Sequence, residues 1–404
     1  MQAVPRIFST DADGKDQREF MADFFDNIGQ MATNIFLKGY QWPFDPQRIE
    51  NKQSSLIDIL VFNETQKGRR VFMDFLHNPI GNGSAKPFRL EELGDEALQY
   101  LQSTGALQSL PIERLAHMNR PAIEIYRQHN IDLYSEPLEI AVCAQHNNGG
   151  FAVDKWWQSN IAGVFVIGEM AGTHGVKRPG GSALNAGQTG GLRAAEYIAN
   201  VYDLQIAAVT QDSDLDERIG GLVNRLDVIK KSANQLTPRQ AIRQIQHRMT
   251  LAAGHIRQLN QVNTSLKEAV ELYTNIIKQG LKTQNAKDLI LALQARHLAL
   301  TSIAYLKAVS ELLKAGGGSR GSFLVLTDDG IEIHPDIIDQ ATKRPLRFKP
   351  EALSLRSSII QIQYDRRRDD LFRCETIAVR PAPDGRKAFE PAWRDYRDGK
   401  IFTT

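Results

Sequence analysis

Glu169, His174 and Arg178 stand close together in the chain, and the run Gly180-Gly181-Ser182-Ala183-Leu184 follows at once. A carboxylate accepts hydrogen bonds from ligand hydroxyls, and a guanidinium fork holds a carboxylate through paired N–H groups. An imidazole donates or accepts a hydrogen bond near neutral pH. Glycines ahead of a helix let backbone approach a ligand closely. The N–H groups of the helix's first turn, with its dipole, then stabilise negative charge. The chemistry on offer is recognition of hydroxyls, of a small acid, and of a group that accumulates negative charge.

The elements around these residues must position them. Val164–Ile167 is a short β-branched run whose pattern predicts a buried strand with Glu169 at its carboxyl end, where α/β sheets place ligands. After Leu184 the spacing predicts a helix from near Asn185 to near Tyr202, and Gly149-Gly150 predicts a turn upstream. The stretch from Gln145 to Glu196 therefore reads as one strand–loop–helix unit of a nucleotide-binding layer. Its order suits holding a flavin against a small acid substrate. The plainer readings are an exposed loop acid for Glu169 and a loop brace for His174.

Upstream, residues 1–135 mix both periodicities. The spacing predicts a helix from Asp16 to Leu37, ended by Trp42-Pro43-Phe44-Asp45-Pro46. Ser55–Phe62 and Arg70–Phe75 read as strands, Leu90–Thr104 and Ile112–His129 as helices, and Leu138–Val142 as another strand. Downstream, residues 215–315 read as three or four antiparallel helices. Capping boxes are expected at Thr237-Pro238-Arg239-Gln240 and Ser265-Leu266-Lys267-Glu268, and helical spacing continues from Leu291 to Leu313. The tail from Gly321 to Thr404 alternates short strands with Pro-rich loops.

Composition excludes several classes. The 404 residues allow a large core in two or three domains. The 49 basic and 47 acidic residues leave a formal charge of +2, too weak a field to argue for nucleic acid or membrane binding. Arg366-Arg367-Arg368 is neutralised by Asp369-Asp370. Cys143 and Cys374 occur in no ligand spacing, so neither a disulfide framework nor a metal site is expected. With no leader-like start and no long uncharged apolar run, the expected location is the cytoplasm. Gly316-Gly317-Gly318-Ser319-Arg320-Gly321 matches G-x-G-x-x-G literally. It stands between a helix pattern and a strand pattern, the reverse of the order that seats a pyrophosphate, so it is expected to be a helix-terminating loop.

The segment HGVKRPGGSAL, from His174 to Leu184, resembles the HGANRLGGNSL segment of the succinate dehydrogenase/fumarate reductase flavoprotein family, which includes L-aspartate oxidase. NNGGFAVDKWWQSNIAGVFVIGE, from Asn147 to Glu169, is similar to that family's HYTMGG segment and the GE-ending strand after it. Weaker likeness lies at Gly68–Asp74, Asn130–Pro137, Ser319–Ser322 and Trp393–Tyr396. The resemblance implies FAD as cofactor, bound by Glu169, Gly180, Gly181, Ser182, Ala183 and Leu184, with His174 and Arg178 facing substrate. Gln145 stands where the family has a substrate-binding histidine, with His146 next to it, and Ala183 where it has a serine. Arg6, shortly before Asp11-Ala12-Asp13-Gly14, is the nearest candidate for the family's proton-donating arginine.

The implied fold is mixed α+β and α/β. A capping domain (1–135) precedes the C-terminal part of an FAD-binding α/β domain (136–205), a helical domain (206–320) and a mixed tail (321–404). No strand–GxGxxG–helix turn occurs in the chain. The expected function is the C-terminal part of an FAD-dependent oxidoreductase acting on a small carboxylate-bearing substrate. It would need a separate polypeptide carrying the N-terminal FAD-binding half, with an electron-transfer partner besides. The alternative is a non-catalytic scaffold subunit or a fragment that retains the fold.

Overall fold

The computed structural model describes residues 1–41, 44–81, 88–144, 149–175, 181–202, 212–230, 234–380 and 388–402. The chain folds as two compact units, Met1–Gln145 with Ser319–Pro350, and His146–Gly318 with Glu351–Thr404. Along the chain, the first unit opens with β1 (Arg6–Thr10), α1 (Ile28–Tyr40), α2 (Leu56–Gln66), β2 (Arg70–Asp74), α3 (Asp95–Ser103), α4 (Pro111–Gln128) and β3 (Leu138–Ile140). The second unit continues with α5 (Ser182–Asn200), α6 (Asp212–Lys230), α7 (Pro238–Ala253), β4 (Ile256–Arg257), α8 (Leu259–Gln279) and α9 (Ala286–Lys314). The chain then returns to the first unit for β5 (Leu324–Glu332) and β6 (Arg347–Phe348). It ends in the second with β7 (Ser358–Tyr364), β8 (Phe372–Ala378) and α10 (Phe389–Arg397).

In the first unit β2 is the middle strand of an antiparallel sheet, Arg6 facing Asp74 on one side and Met73 facing Leu138 on the other. Its core gathers Val4, Ala32, Phe36, Phe88, Ala97 and Leu101. Arg114 on α4 is fully buried. Its guanidinium donates to the carbonyls of Ala3 (2.9 Å), Gln108 (2.7 Å) and Ser109 (3.2 Å) and to Asn78 Oδ1 (2.6 Å). Burial pushes its pKa down to about 10, so it is still charged at neutral pH.

Ser55–Phe62 is helical, not the expected strand: α2 spans Leu56–Gln66. Leu56, Ile57, Asp58, Ile59, Leu60 and Val61 are all buried, and a helix buried on every side carries no amphipathic period to distinguish it. The helix expected from Asp16 begins only at Ile28, where the Asn27 side chain accepts from Gln30 N. Thr237 and Gln240 do form a capping box at the start of α7. Ser265, expected to start a helix, lies buried inside α8. The motif is local, whereas α8 is set by packing that continues on both sides of it.

In the second unit α9 packs along α7 and α8, with Ala241, Ile245, Leu272, Ile276, Ala292, Ala295 and Ala299 in one core. By length and composition α9 could cross a membrane; its Ala292, Ala295 and Ala299 lie in this core, and its buried residues include Lys307. Lys307 pairs with Glu311 (3.0 Å) and Asp370 (2.6 Å). Burial opposes ionisation of both carboxyls, but the lysine outweighs it, so each titrates below its ordinary value. Burial likewise opposes the lysine's charge, and its partners raise its pKa overall.

The carboxylates' contribution to stability is therefore present above the ordinary carboxylate range near ~4 and lost as pH falls through their lower folded values. That of Lys307 is lost only as pH rises through its raised value. Lys307→Met is expected to destabilise the helical unit at pH 7, by a margin that shrinks on acidification to pH 3. Urea unfolding followed by circular dichroism at both pH values measures this, and a margin independent of pH contradicts the assignment.

Candidate functional site

The ring of residues around α5 is built on glycine. Gly172 adopts φ 63° and ψ 17° and ends the short 3-10 turn Gly168–Ala171. A side chain there would begin 2.6 Å from Gly149 C and 2.7 Å from Gly150 N. Reciprocally, a Cβ on Gly150 would lie 2.2 Å from Met170 O and 2.5 Å from Gly172 N. Two backbone segments thus cross in direct contact, pinned by Phe151 N donating to Met170 O at 2.8 Å. The crossing fixes where Glu169 emerges.

Val164–Ile167 departs from expectation. It is not a regular strand; Phe165 forms an isolated bridge to Gln158, and Val166 N donates to Trp157 O. A strand needs a lateral neighbour for its backbone groups, and the described residues supply only this turn. Val164 and Ile167 are exposed rather than buried.

The helix that the sequence places near Asn185 begins at Ser182, with Gly181 as its N-cap at φ 78°. Its first turn holds no acidic residue. Gly187 lets the helix pack on Gly168, a Cβ there meeting Gly168 Cα at 3.3 Å, and Gly190 lies against the Trp157 indole. The arrangement brings the start of α5 and the Glu169 turn together. Glu169 is exposed, and the buried His174 ring places Nε2 3.9 Å from its Oε1. Gly181, Ser182, Ala183 and Leu184 all lie at or within the first turn of α5, with Leu184 exposed.

Gln145, His146, Arg178 and Gly180 lie outside the described residues. Arg6 belongs to the first unit, on β1. Its Nε donates to Glu19 at 2.8 Å, a terminal nitrogen lies 3.5 Å from Asp74, and the guanidinium sits 4.8 Å over the Phe8 ring. Asp74 also holds His77 Nδ1 at 2.7 Å. Sequence reasoning missed Gly172, whose role depends on Gly149-Gly150 lying across it. The available signal was a second glycine soon after Gly168-Glu169.

These residues fit the ring side of a flavin. They offer an outward carboxylate for hydroxyls, a helix N-terminus with no acidic residue in its first turn, and glycine backbone that permits close approach. Gly316–Gly321 does not add a pyrophosphate turn, because α9 runs into it and β5 follows.

No family model matches the chain. One polypeptide of the fumarate reductase (CoM/CoB) of Methanothermobacter marburgensis is 43% identical over 65 residues, 16% of this chain and 12% of that protein. A Methanocaldococcus jannaschii protein named an uncharacterized FAD-dependent oxidoreductase is 25% identical over 205 residues, 50% of this chain and 33% of its own. Among solved structures, a quinol-fumarate reductase with menaquinol molecules shares the fold with a TM-score of 0.54 and 17% identity, over 94% of this chain and 56% of that one. The chain thus spans a third or less of these curated relatives and just over half of the structural neighbour.

Proposed function

We propose that this chain, which is similar to a fumarate reductase polypeptide and to a protein named an FAD-dependent oxidoreductase, forms the ring-facing part of an FAD-dependent oxidoreductase. Hydride would pass between the flavin and a small carboxylate-bearing substrate. The observation that carries this reading is the pairing of exposed Glu169 and buried His174 beside the glycine-opened N-terminus of α5. FAD, when bound, supplies the redox step, and the protein supplies position and charge.

In this reading Glu169 accepts hydrogen bonds from cofactor hydroxyls, and the first turn of α5 from Ser182 stabilises negative charge on the ring. Arg178 grips the substrate carboxylate with its fork and so sets which carbon faces the ring. His174 donates to the same acid or braces the Glu169 turn, while Gln145 and His146 line the substrate. Arg6 is the candidate proton donor, although its pairing with Glu19 and Asp74 equally suits a structural role. A separate polypeptide would carry the N-terminal FAD-binding half.

Co-expression with its genomic neighbours is expected to yield a complex with flavin absorbance bands; a complex devoid of flavin would sink the proposal. In that complex Arg178→Ala should lower kcat/KM by about a hundredfold or more with flavin content intact. Unchanged turnover would favour the second reading, a scaffold subunit, which Gln145 and Ala183 support because both depart from the family's pattern.

A further inference from the structure

One side of β8 is in use and the other is not. β7 and β8 pair in unbroken antiparallel register from Ser358 facing Ala378 to Tyr364 facing Phe372, and no further strand joins β8 among the described residues. Just beyond the two ends, Asp365 N donates to Leu371 O at 2.8 Å and Val379 N to Ser357 O at 2.9 Å, which fixes the phase of the ladder. In that phase Arg373, Glu375 and Ile377 turn their backbone groups toward β7, while Phe372, Cys374, Thr376 and Ala378 turn theirs away from it. Phe372 N is taken up by Asp370 Oδ1 at 3.4 Å. The outward groups of Cys374 and Thr376 have no backbone partner among the described residues. Every residue from Arg373 to Ala378 is exposed. Edge strands are commonly blunted by proline, lysine or a bulge, and β8 carries none of these.

We propose that this edge is a homodimer interface, on which a second copy of the chain lays its own β8 antiparallel, centred on Cys374, to make one sheet across a twofold axis. The order of charges along the strand selects that occupant and that register. Centred on Arg373 or on Glu375, antiparallel self-pairing sets like charges face to face. Centred on Thr376, it sets Glu375 against Ile377. A parallel twofold pairing sets each residue against itself, arginine on arginine. Centred on Cys374, Arg373 of each copy faces Glu375 of the other, once on either side of the axis. The ladder phase then puts both pairs at non-hydrogen-bonded positions, where facing side chains come closest and opposite charges stabilise. It also puts Cys374 at a hydrogen-bonded position, so that its outward N–H and C=O are satisfied by the second copy, while Thr376 N donates to the second copy's Phe372 carbonyl. Within the chain Arg373 Nε donates to Gln363 Oε1 at 2.8 Å, a neutral partner that a facing carboxylate can supplement.

The test uses the full chain carrying Cys143→Ser, which leaves the exposed Cys374 as its one thiol. Sedimentation is expected to show a dimer that dissociates on dilution, and a short bis-maleimide to link two copies through Cys374. Arg373→Glu alone and Glu375→Arg alone should each weaken self-association about tenfold, with circular dichroism and thermal unfolding unchanged. The double swap Arg373→Glu/Glu375→Arg restores opposite charges in the same register and should recover the dimer. An equimolar mixture of the two single variants should associate as a heterodimer, because a strand with two arginines then faces a strand with two glutamates. A chain that stays monomeric at every concentration overturns the proposal. So does a dimer indifferent to both single reversals, or a loss that the double swap does not recover.

Discussion

Gly172→Val is expected to abolish flavin retention in the assembled complex and to destabilise the second unit by about 3 kcal/mol or more. Two costs combine. The residue sits at φ 63°, where a β-branched side chain is strained. Its Cβ would also begin 2.6 to 2.9 Å from the backbone of Gly149 and Gly150, atoms that cannot swing aside as a flexible side chain would. Relief requires the crossing to open, which carries Glu169 away from the start of α5. Gly150→Ala, with its Cβ 2.2 Å from Met170 O, should do the same from the other strand of the crossing. Flavin absorbance per polypeptide and chemical denaturation are the two readouts. A Gly172→Val complex with full flavin content would show that the crossing does not set the site.

Arg114→Met should destabilise the first unit by about 3–5 kcal/mol. Methionine matches the length of the aliphatic stem but donates nothing. The buried carbonyl of Ala3 and the part-buried Gln108 carbonyl and Asn78 side chain would lose their shared donor, while Ser109 O keeps its bond from Asn78. Each buried acceptor left without a partner costs about 1–3 kcal/mol. The melting temperature should fall by roughly 10 °C. Arg114→Lys, with a single ammonium in place of the fork, should recover only part of this loss. Equal melting temperatures for wild type and Arg114→Met would show that these contacts contribute nothing net.

Legibility in the sequence tracked how local the governing physics is. The Thr237 cap, the helices of the second unit and the helix-terminating loop at Gly316 are set by neighbours in the chain, and their patterns announced them. The mixed helix-and-sheet fold, and the order of turn, Glu169 and helix, were legible for the same reason. α2 was misread because burial on every side erased its period. Ser265 was misread because a capping pattern says nothing of the packing that carries α8 through it. Val164–Ile167 was read as strand because sequence gives a segment's preference and not whether a neighbour is present to pair with. The glycine crossing escaped notice because its two halves are joined only in three dimensions.

Trp157 presses its indole on Gly190 with φ 63°, and its ring nitrogen is buried without a hydrogen-bond partner among the described residues. Trp156 next to it stacks on Tyr197 of the same helix at 5.1 Å. Two of the protein's four tryptophans thus touch α5, one near its middle and one near its C-terminal end. Their emission makes the helix an intrinsic optical gauge. Movement of α5 away from these rings is expected to change the fluorescence of the chain itself, with no label attached.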